Sequence, residues 1–184
     1  ANLARANLSK ADLKRANLEG AVLAKAMLFE AHLDGANLRN ANLTQIMAGT
    51  VGLIRADLTG ADVRLAELRD ARMGRAIMVS TNLTGAYLNG AQLRGADLTN
   101  ARLQLTTLID TELVQAKLIN ADMREANLFS AILREADLTG ADLTGATLCG
   151  ADLRGAKLRN ANLAGADLSP ANLEETYLMG ADLS

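Results

Sequence analysis

The single histidine and the single cysteine carry the most reactive side chains in this sequence. A histidine that acts as a general base needs a nucleophile or a substrate pocket beside it, and a zinc site needs further nitrogen or sulfur ligands. His32 and Cys149 lie far apart in the chain, and no insertion is present that could form a cleft. The sequence therefore predicts no enzyme, no catalytic residue, no metal site, no cofactor and no small-molecule substrate. Cys149, which precedes Gly150, is expected to be an exposed free thiol.

Acidic and amide side chains recur at a spacing of twenty residues toward the end of the chain, at Asp122, Asp142, Asn162 and Asp182. Such a ladder of oxygen atoms could line a row of cations. However, like charges stacked without the glycine of a calcium-binding loop make a poor calcium site. Short polar side chains also bond to nearby backbone amides. We therefore interpret the ladder as a device that stabilises turns.

A repeat of five residues positions all of these side chains. The first residue of each pentad is Ala in 31 of 37 cases, with Ile46, Val51, Thr81, Thr106, Thr111 and Thr176 as exceptions. The third residue is Leu in 32 of 37 cases, with Ala48, Val63, Met73, Met78 and Met123 as exceptions. Because the phase never slips, the pattern indicates one continuous repetitive structure.

A period of five residues fits neither a straight helix nor a straight strand. On a helix the leucines would move around the cylinder, and on a strand they would alternate between the two faces. The chain must therefore turn once in each pentad, with Ala and Leu on one face of a short extended segment. The fifth residue is Gly in 12 of 36 pentads and Asn in several others, as expected for a corner. A chain that turns regularly around its apolar residues forms a coil, and stacked coils form a parallel β-solenoid.

The sequence resembles the pentapeptide-repeat family, whose motif is A(D/N)LXX. The resemblance covers the whole chain and is clear in ADLTGADLTGATLCGADLRGAKLRNANLAGADLS, residues 136–169. It implies an all-β fold, a right-handed quadrilateral parallel β-helix with four pentapeptides per coil and about nine coils. We expect residues 1–184 to form a single domain of a bacterial, cyanobacterial-like type.

Residues twenty apart should then stack in columns, and one face collects apolar side chains. This face, here named the apolar face, consists of Met27, Phe29, Met47, Tyr87, Ile109 and Phe129, with Cys149 in the same column as Phe129. We expect it to hold most of the exposed apolar side chains, including both phenylalanines. Because aromatic side chains anchor interfaces, the apolar face is the candidate protein-interaction site. The alternative is that these residues only pack on their neighbours in the column.

Six arginines cluster near the middle of the chain: Arg55, Arg64, Arg69, Arg72, Arg75 and Arg94. Asp57, Asp62, Glu67 and Asp70 lie among them, so we expect a solvated surface of ion pairs. The four that share a face, Arg55, Arg72, Arg75 and Arg94, have no aromatic residues between them to stack on bases. The formal net charge of −2 also argues against nucleic acid as a partner.

Two stretches depart from the repeat. In residues 44–58, Ile46 and Ala48 exchange the large and small core positions, and Val51 is a surplus that Gly49 and Gly52 accommodate. We interpret this stretch as a repacked coil with Met47 and Ile54 pointing outward.

In residues 102–120, apolar residues occupy corner positions at Leu105, Ile109, Val114 and Ile119. They could form the seam of an assembly, or they could simply favour an extended backbone.

The leading functional hypothesis is a non-catalytic structural rod that binds an unidentified protein. The alternative comes from the resemblance, because one subgroup of the family comprises quinolone-resistance proteins that mimic duplex DNA and bind a type II topoisomerase, gyrase. That mimicry requires a strongly acidic surface, and residues 1–92 carry 11 basic and 8 acidic side chains. Residues 93–184 carry 8 basic and 13 acidic side chains, which keeps the alternative open.

No apolar run is long enough to span a membrane, and no signal-peptide pattern opens the chain, so cytoplasmic is the default expectation. The chain begins ANLARANL, already within the repeat. Uncapped ends of a solenoid expose backbone edges and apolar side chains. We therefore expect end-to-end self-association.

Overall fold

The computed structural model describes all of residues 1–184. The second residue of each pentad forms isolated parallel β-bridges, and the fourth and fifth residues form a turn. Each bridge joins a residue to the residue twenty positions later, from Asn2 with Val22 to Asn162 with Asp182. Four pentads therefore complete one coil. The expected parallel, four-sided all-β solenoid is confirmed, although its extended segments are single bridged residues and not longer strands.

The four sides of the coil can be named by their first pentads. Side 1 begins with residues 1–5, side 2 with 6–10, side 3 with 11–15 and side 4 with 16–20, and each side continues every twenty residues. Side 2 holds the apolar face, and side 3 follows it around the corner.

Alanine and leucine form the core along the axis of the coil. Fifty-six buried hydrophobic residues make one cluster that extends from Leu18 to Leu163. Leucines of the terminal coils, such as Leu8 and Leu173, pack against this cluster but are only partly buried. The core is therefore continuous along the rod, as the unbroken phase of the repeat predicts.

The corner requires a left-handed backbone conformation at the fifth residue. This residue has a positive φ in 35 of 36 pentads, and the exception is Pro170. Glycine adopts this conformation without strain, but 23 of the 35 residues are not glycine. Leu65, for example, has a φ of 56°. The prediction of Gly and Asn at corners was therefore correct but too narrow, because a hydrogen bond across every turn, such as Ala6 N to Leu3 O, holds other residues in place.

The hydrogen bonds explain why Asn or Asp precedes the leucine. In a regular pentad the amides of the first, second, third and fifth residues donate to backbone carbonyls, but the amide of the fourth residue does not. All nineteen Asn and Asp residues at the second position accept a hydrogen bond from this remaining amide, at 2.9 to 3.4 Å. The ladder at residues 122, 142, 162 and 182 follows the same rule, so its interpretation as turn stabilisation is confirmed.

Threonines in the inward alanine position satisfy their hydroxyl groups within the core. The Oγ1 atoms of Thr81, Thr106 and Thr111 donate to the carbonyls of Leu58, Leu83 and Leu88 at 2.8, 2.9 and 3.0 Å. Each acceptor lies in the coil below, which makes a polar residue compatible with a fully buried position.

The stretch at residues 44–58 is continuous with the rest of the rod. Ile46, Ala48 and Val51 are buried, and the bridge between Met47 and Glu67 is intact. The exchange of a large for a small side chain does not fill the core completely, however. A void of about 10 Å³ remains beside these residues. The turn bond from Ile46 N to Leu43 O is also long, at 3.4 Å. The repacked-coil interpretation is thus confirmed, with imperfect packing.

Candidate interaction surface

The apolar face lies in two neighbouring columns on side 2. Met27, Met47 and Tyr87 occupy second positions in one ladder of bridges, which also contains Glu67. Phe29, Ile109 and Phe129 occupy fourth positions. The backbone carbonyl of each accepts a hydrogen bond from an amide of the coil below. The register of the repeat therefore brings all six side chains to one side of the rod, over about five coils.

Four of the six side chains are well exposed. The exposed fractions are 39% for Phe29, 44% for Met47, 37% for Tyr87 and 46% for Phe129, whereas Met27 and Ile109 are half-buried. These side chains remain outside because the first and third residues of the same pentads already fill the core.

A charged pair divides the apolar face. Glu67 and Arg69 form an ion pair at 3.0 Å in the coil between Met47 and Tyr87. The guanidinium carbon of Arg69 lies 5.1 Å from the centre of the Tyr87 ring, a cation–π arrangement. Sequence reasoning assigned both charged residues only to the basic cluster, although the spacing of forty residues from Phe29 to Arg69 places them in this column.

A shallow depression of about 330 Å³ lies below this pair. It is lined by Phe29, Met47, Gly49, Glu67 and Arg69. Gly49 leaves this depression open. A methyl group at that position would occupy part of it and would contact the Phe29 ring at 3.8 Å. The depression is thus apolar below and charged above.

Asn89 lies one coil above Arg69 in the same column. Its Oδ1 atom is the one buried side-chain polar atom without a hydrogen-bond partner. An unsatisfied acceptor of this kind costs about 1–3 kcal/mol.

Exposed apolar residues are less concentrated than the sequence predicts. Four of the eleven large exposed hydrophobic side chains belong to the apolar face. Side 1 exposes Val22, Leu65 and Leu105, and side 4 exposes Ile77. The expectation that one face holds most of them is therefore wrong, because second and fifth positions on the other sides also carry apolar residues. What distinguishes side 2 is its aromatic side chains.

The ring of apolar residues in 102–120 does not form a patch. Leu105, Ile109, Val114 and Ile119 lie at successive corners, so each is directed toward a different part of the circumference. Only Leu105 is exposed, and the other three are half-buried. A flat partner could not contact all four residues at once.

His32 and Cys149 lie on different sides of the rod. His32 is exposed on side 3 and is bridged to Asp12 below it. Cys149 is on side 2, where it is a free cysteine as expected but is half-buried and not exposed.

The pKa values of several aspartates at second positions are lowered. Hydrogen bonds from Arg64 to Asp62 lower the pKa of that carboxyl group, and Arg154 lowers the pKa of Asp152 in the same way. Burial alone would raise the pKa of Asp137, but hydrogen bonds from Thr139 and the charge of Lys157 lower it overall. These carboxylates are thus bound in turns, which suits a structural role.

The arginine cluster is only partly salt-paired. Arg64 pairs with Asp62 at 2.6 Å and Arg69 pairs with Glu67. The remaining four, Arg55, Arg72, Arg75 and Arg94, form no ion pair. The expectation of a paired surface is therefore wrong for side 3, since the acidic neighbours in sequence turn onto sides 1, 2 and 4.

Comparison with known proteins identifies the repeat. The model of the family described as pentapeptide repeats matches residues 6–45, 53–85, 66–104, 76–113, 106–145 and 146–184. A search of curated protein sequences found no significant match. No helix in the structure is long and apolar enough to cross a membrane.

Two solved structures are similar over almost the whole chain. HetL, a pentapeptide repeat protein involved in heterocyst differentiation regulation in the cyanobacterium Nostoc, is 34% identical, with 98% of this chain and 88% of HetL covered and a TM-score of 0.55. QnrB1, a plasmid-mediated fluoroquinolone resistance protein, is 18% identical, with 97% of this chain and 91% of QnrB1 covered and a TM-score of 0.77. The second similarity concerns the fold alone.

Proposed function

Because the chain belongs to the pentapeptide-repeat family, we propose that it is a non-catalytic rod that binds another protein through the apolar face. The observation that carries this proposal is the location of Phe29, Tyr87 and Phe129 on one side of a chain that has only four aromatic residues. The rod is proposed to be one domain, residues 1–184, of about nine right-handed coils.

The composition of the apolar face suits a protein partner. Tyrosine and arginine are enriched among the residues that dominate binding energy at interfaces, and Arg69 lies over the Tyr87 ring. The rigid coil lowers the cost of binding, because the side chains are positioned before the partner arrives. Rotation of Asn89 toward a partner would also relieve its unsatisfied oxygen.

Similarity to HetL supports a regulatory role within this class of function. HetL is 34% identical over nearly the whole chain and is involved in the regulation of differentiation. We propose that this chain acts by binding a protein and not by turning over a substrate.

The test is capture of partners from native lysate with a matched control. The variant Phe29→Ser/Tyr87→Ser/Phe129→Ser should stay folded, because these side chains are exposed, and should lose the captured protein. The control variant Leu65→Ser/Ile77→Ser/Leu105→Ser removes equally exposed apolar side chains from other sides and should retain it. Recovery of identical proteins with both variants would show that the apolar face is not the binding site.

Inhibition of a type II topoisomerase is the second candidate function. The shared fold with QnrB1 favours it, whereas the unpaired arginines of side 3 oppose mimicry of DNA. A gyrase supercoiling assay separates the two candidates, since only the topoisomerase hypothesis expects the purified rod to alter supercoiling or its inhibition by a quinolone.

End-to-end self-association remains a prediction for light scattering at high concentration, where a strictly monomeric particle would contradict it.

A further inference from the structure

Side 3 carries a groove of about 700 Å³, separate from the apolar face. Five arginines line it: Arg15, Arg55, Arg72, Arg75 and Arg94. All five side chains are exposed, and Arg55 and Arg75 follow each other in one column at the spacing of adjacent coils. The groove therefore presents a row of cations along the rod.

These arginines are free to bind a ligand. Six of the fourteen arginines in the chain form ion pairs, namely Arg39, Arg64, Arg69, Arg124, Arg134 and Arg154. Five of the other eight line this one groove. Their guanidinium groups also make none of the side-chain hydrogen bonds that Arg64, Arg124 and Arg154 make with aspartate. Unpaired arginines are thus concentrated, and not spread around the rod.

Two residues of the lining leave the groove open: a glycine, which has no side chain, and an aspartate whose carboxylate is hydrogen-bonded to the backbone. Gly74 takes the place of a side chain in the column between Ile54 and Arg94. Asp34 is an acidic residue of the lining, but its Oδ1 accepts a hydrogen bond from the amide of Ile54 at 2.9 Å. Asp34 makes this bond because Gly52, at the second position of that pentad, has no side chain to supply the acceptor.

The charge of the groove is positive even when its acidic residues are counted. Five arginines oppose Asp34 and Glu112, which gives a local formal charge of +3 in a chain whose net charge is −2. The planar guanidinium group binds carboxylate oxygens in pairs, so a row of arginines suits a row of carboxylates.

We propose that this groove binds an extended acidic segment of a partner protein. The groove is open along the rod, so a small anion would remain largely hydrated, whereas a long segment can contact several arginines at once. An extended peptide places alternate side chains about 6.6–7 Å apart on one face, close enough for the long arginine side chains of successive coils. No aromatic residue lines the groove, so it lacks the stacking surfaces that single-stranded nucleic acid requires.

The experiment measures fluorescence anisotropy of a labelled octaglutamate peptide with the full chain. We expect binding at about 50 mM salt that weakens at about 150 mM salt, because the contacts are exposed charge pairs. The variant Arg55→Gln/Arg75→Gln should weaken binding about tenfold. The control variant Arg124→Gln/Arg154→Gln removes the same charge from aspartate-paired positions and should change binding less than about twofold.

Three outcomes would overturn the proposal: no binding of octaglutamate at the lower salt, equal weakening by both variants, or an octathymidylate probe that binds as tightly as the peptide. The substitutions at Phe29, Tyr87 and Phe129 should leave peptide binding unchanged, because those side chains lie on side 2. Failure of the groove and failure of the apolar face are therefore distinguishable.

Discussion

Asparagine and aspartate at the second position satisfy the one amide in each pentad that the backbone leaves without a partner. The side chain reaches the amide two residues later, so the bond is local and independent of neighbouring coils. Either residue type serves, because both offer a carbonyl or carboxylate oxygen at the same distance from the backbone.

Replacement of Asp137 tests this role. Asp137→Ala should destabilise the fold by about 1 kcal/mol, because the Thr139 amide loses its acceptor. Asp137→Asn keeps the acceptor and should cost less than half of that at pH 7. Equal losses in chemical denaturation for the two variants would show that the charge, and not the hydrogen bond, matters.

The same aspartates predict acid sensitivity. The pKa values of Asp57, Asp97 and Asp137 are lowered in the folded state, because hydrogen bonds from threonine and a nearby cation outweigh burial, which alone would raise them. The stability that they contribute is present above the unfolded-state pKa of about 3.9 and is lost as the pH falls through the lower folded-state values. The variant with all three changed to Asn should therefore lose less stability than the wild type between pH 5 and pH 2 in urea unfolding.

Thr50 is the one β-branched residue at a fifth position, with a φ of 59°. A β-branched side chain is strained in the left-handed region, whereas Asn tolerates it. Thr50→Gly should therefore raise the free energy of unfolding by about 1 kcal/mol, and the control Asn100→Gly should change it by less than about 0.5 kcal/mol. A destabilised Thr50→Gly variant would mean that the hydrogen bond from Thr50 Oγ1 to the Gly49 carbonyl outweighs the strain.

At the scale of the element, the coil at residues 44–58 shows how far one turn can be repacked. Ile46 and Ala48 exchange large and small side chains, while the coils above and below keep the regular order with Ala26 and Leu28, and Ala66 and Leu68. The bridges persist because they depend on the backbone and not on which core side chain is larger.

A double-mutant cycle tests the exchange. Ile46→Ala should cost about 3 kcal/mol because it enlarges the existing void, and Ala48→Leu should cost about 1–3 kcal/mol through overpacking. Together they restore the regular pentad, so the double variant should lie within about 1 kcal/mol of the wild type. Additive losses in thermal or urea unfolding would refute the compensation, since contacting residues are expected to couple.

At the scale of the whole molecule, the register of twenty residues decides which side chains share a side. Phe129→Cys adds a second thiol one coil below Cys149 on side 2, so pyrene labels on both thiols should form an excimer. Thr139→Cys places the second thiol on side 4 instead, and its labels should give monomer emission only.

Deletion of residues 136–140 in the Phe129→Cys variant provides the decisive control. The deletion leaves the Ala and Leu pattern unbroken, so folding by circular dichroism should persist. It moves Cys149 by a quarter turn onto side 1, which should abolish the excimer. Excimer emission that survives the deletion would contradict the four-sided register.

By itself, the sequence determined the coil, its core and the role of the polar second position. These properties are local: Ala and Leu two residues apart, a turn in each pentad and an amide within reach of a neighbouring side chain follow a period of five residues that holds over 37 pentads without a change of phase. The columns of the apolar face needed one further premise, the four pentads per coil, which the resemblance to the pentapeptide-repeat family implied and the bridges of the structure confirm.

Only the tertiary structure decided what adjacent coils do to one another. The stacking of Arg69 on Tyr87, the partial burial of Cys149 and the diversion of Asp34 to the Ile54 amide all depend on side-chain positions across coils. The same holds for the side-3 arginines. Sequence neighbours suggested ion pairs, but in a chain that turns every five residues, charges close in sequence lie on different sides. The fold thereby separates the arginines from those acids and leaves them unpaired.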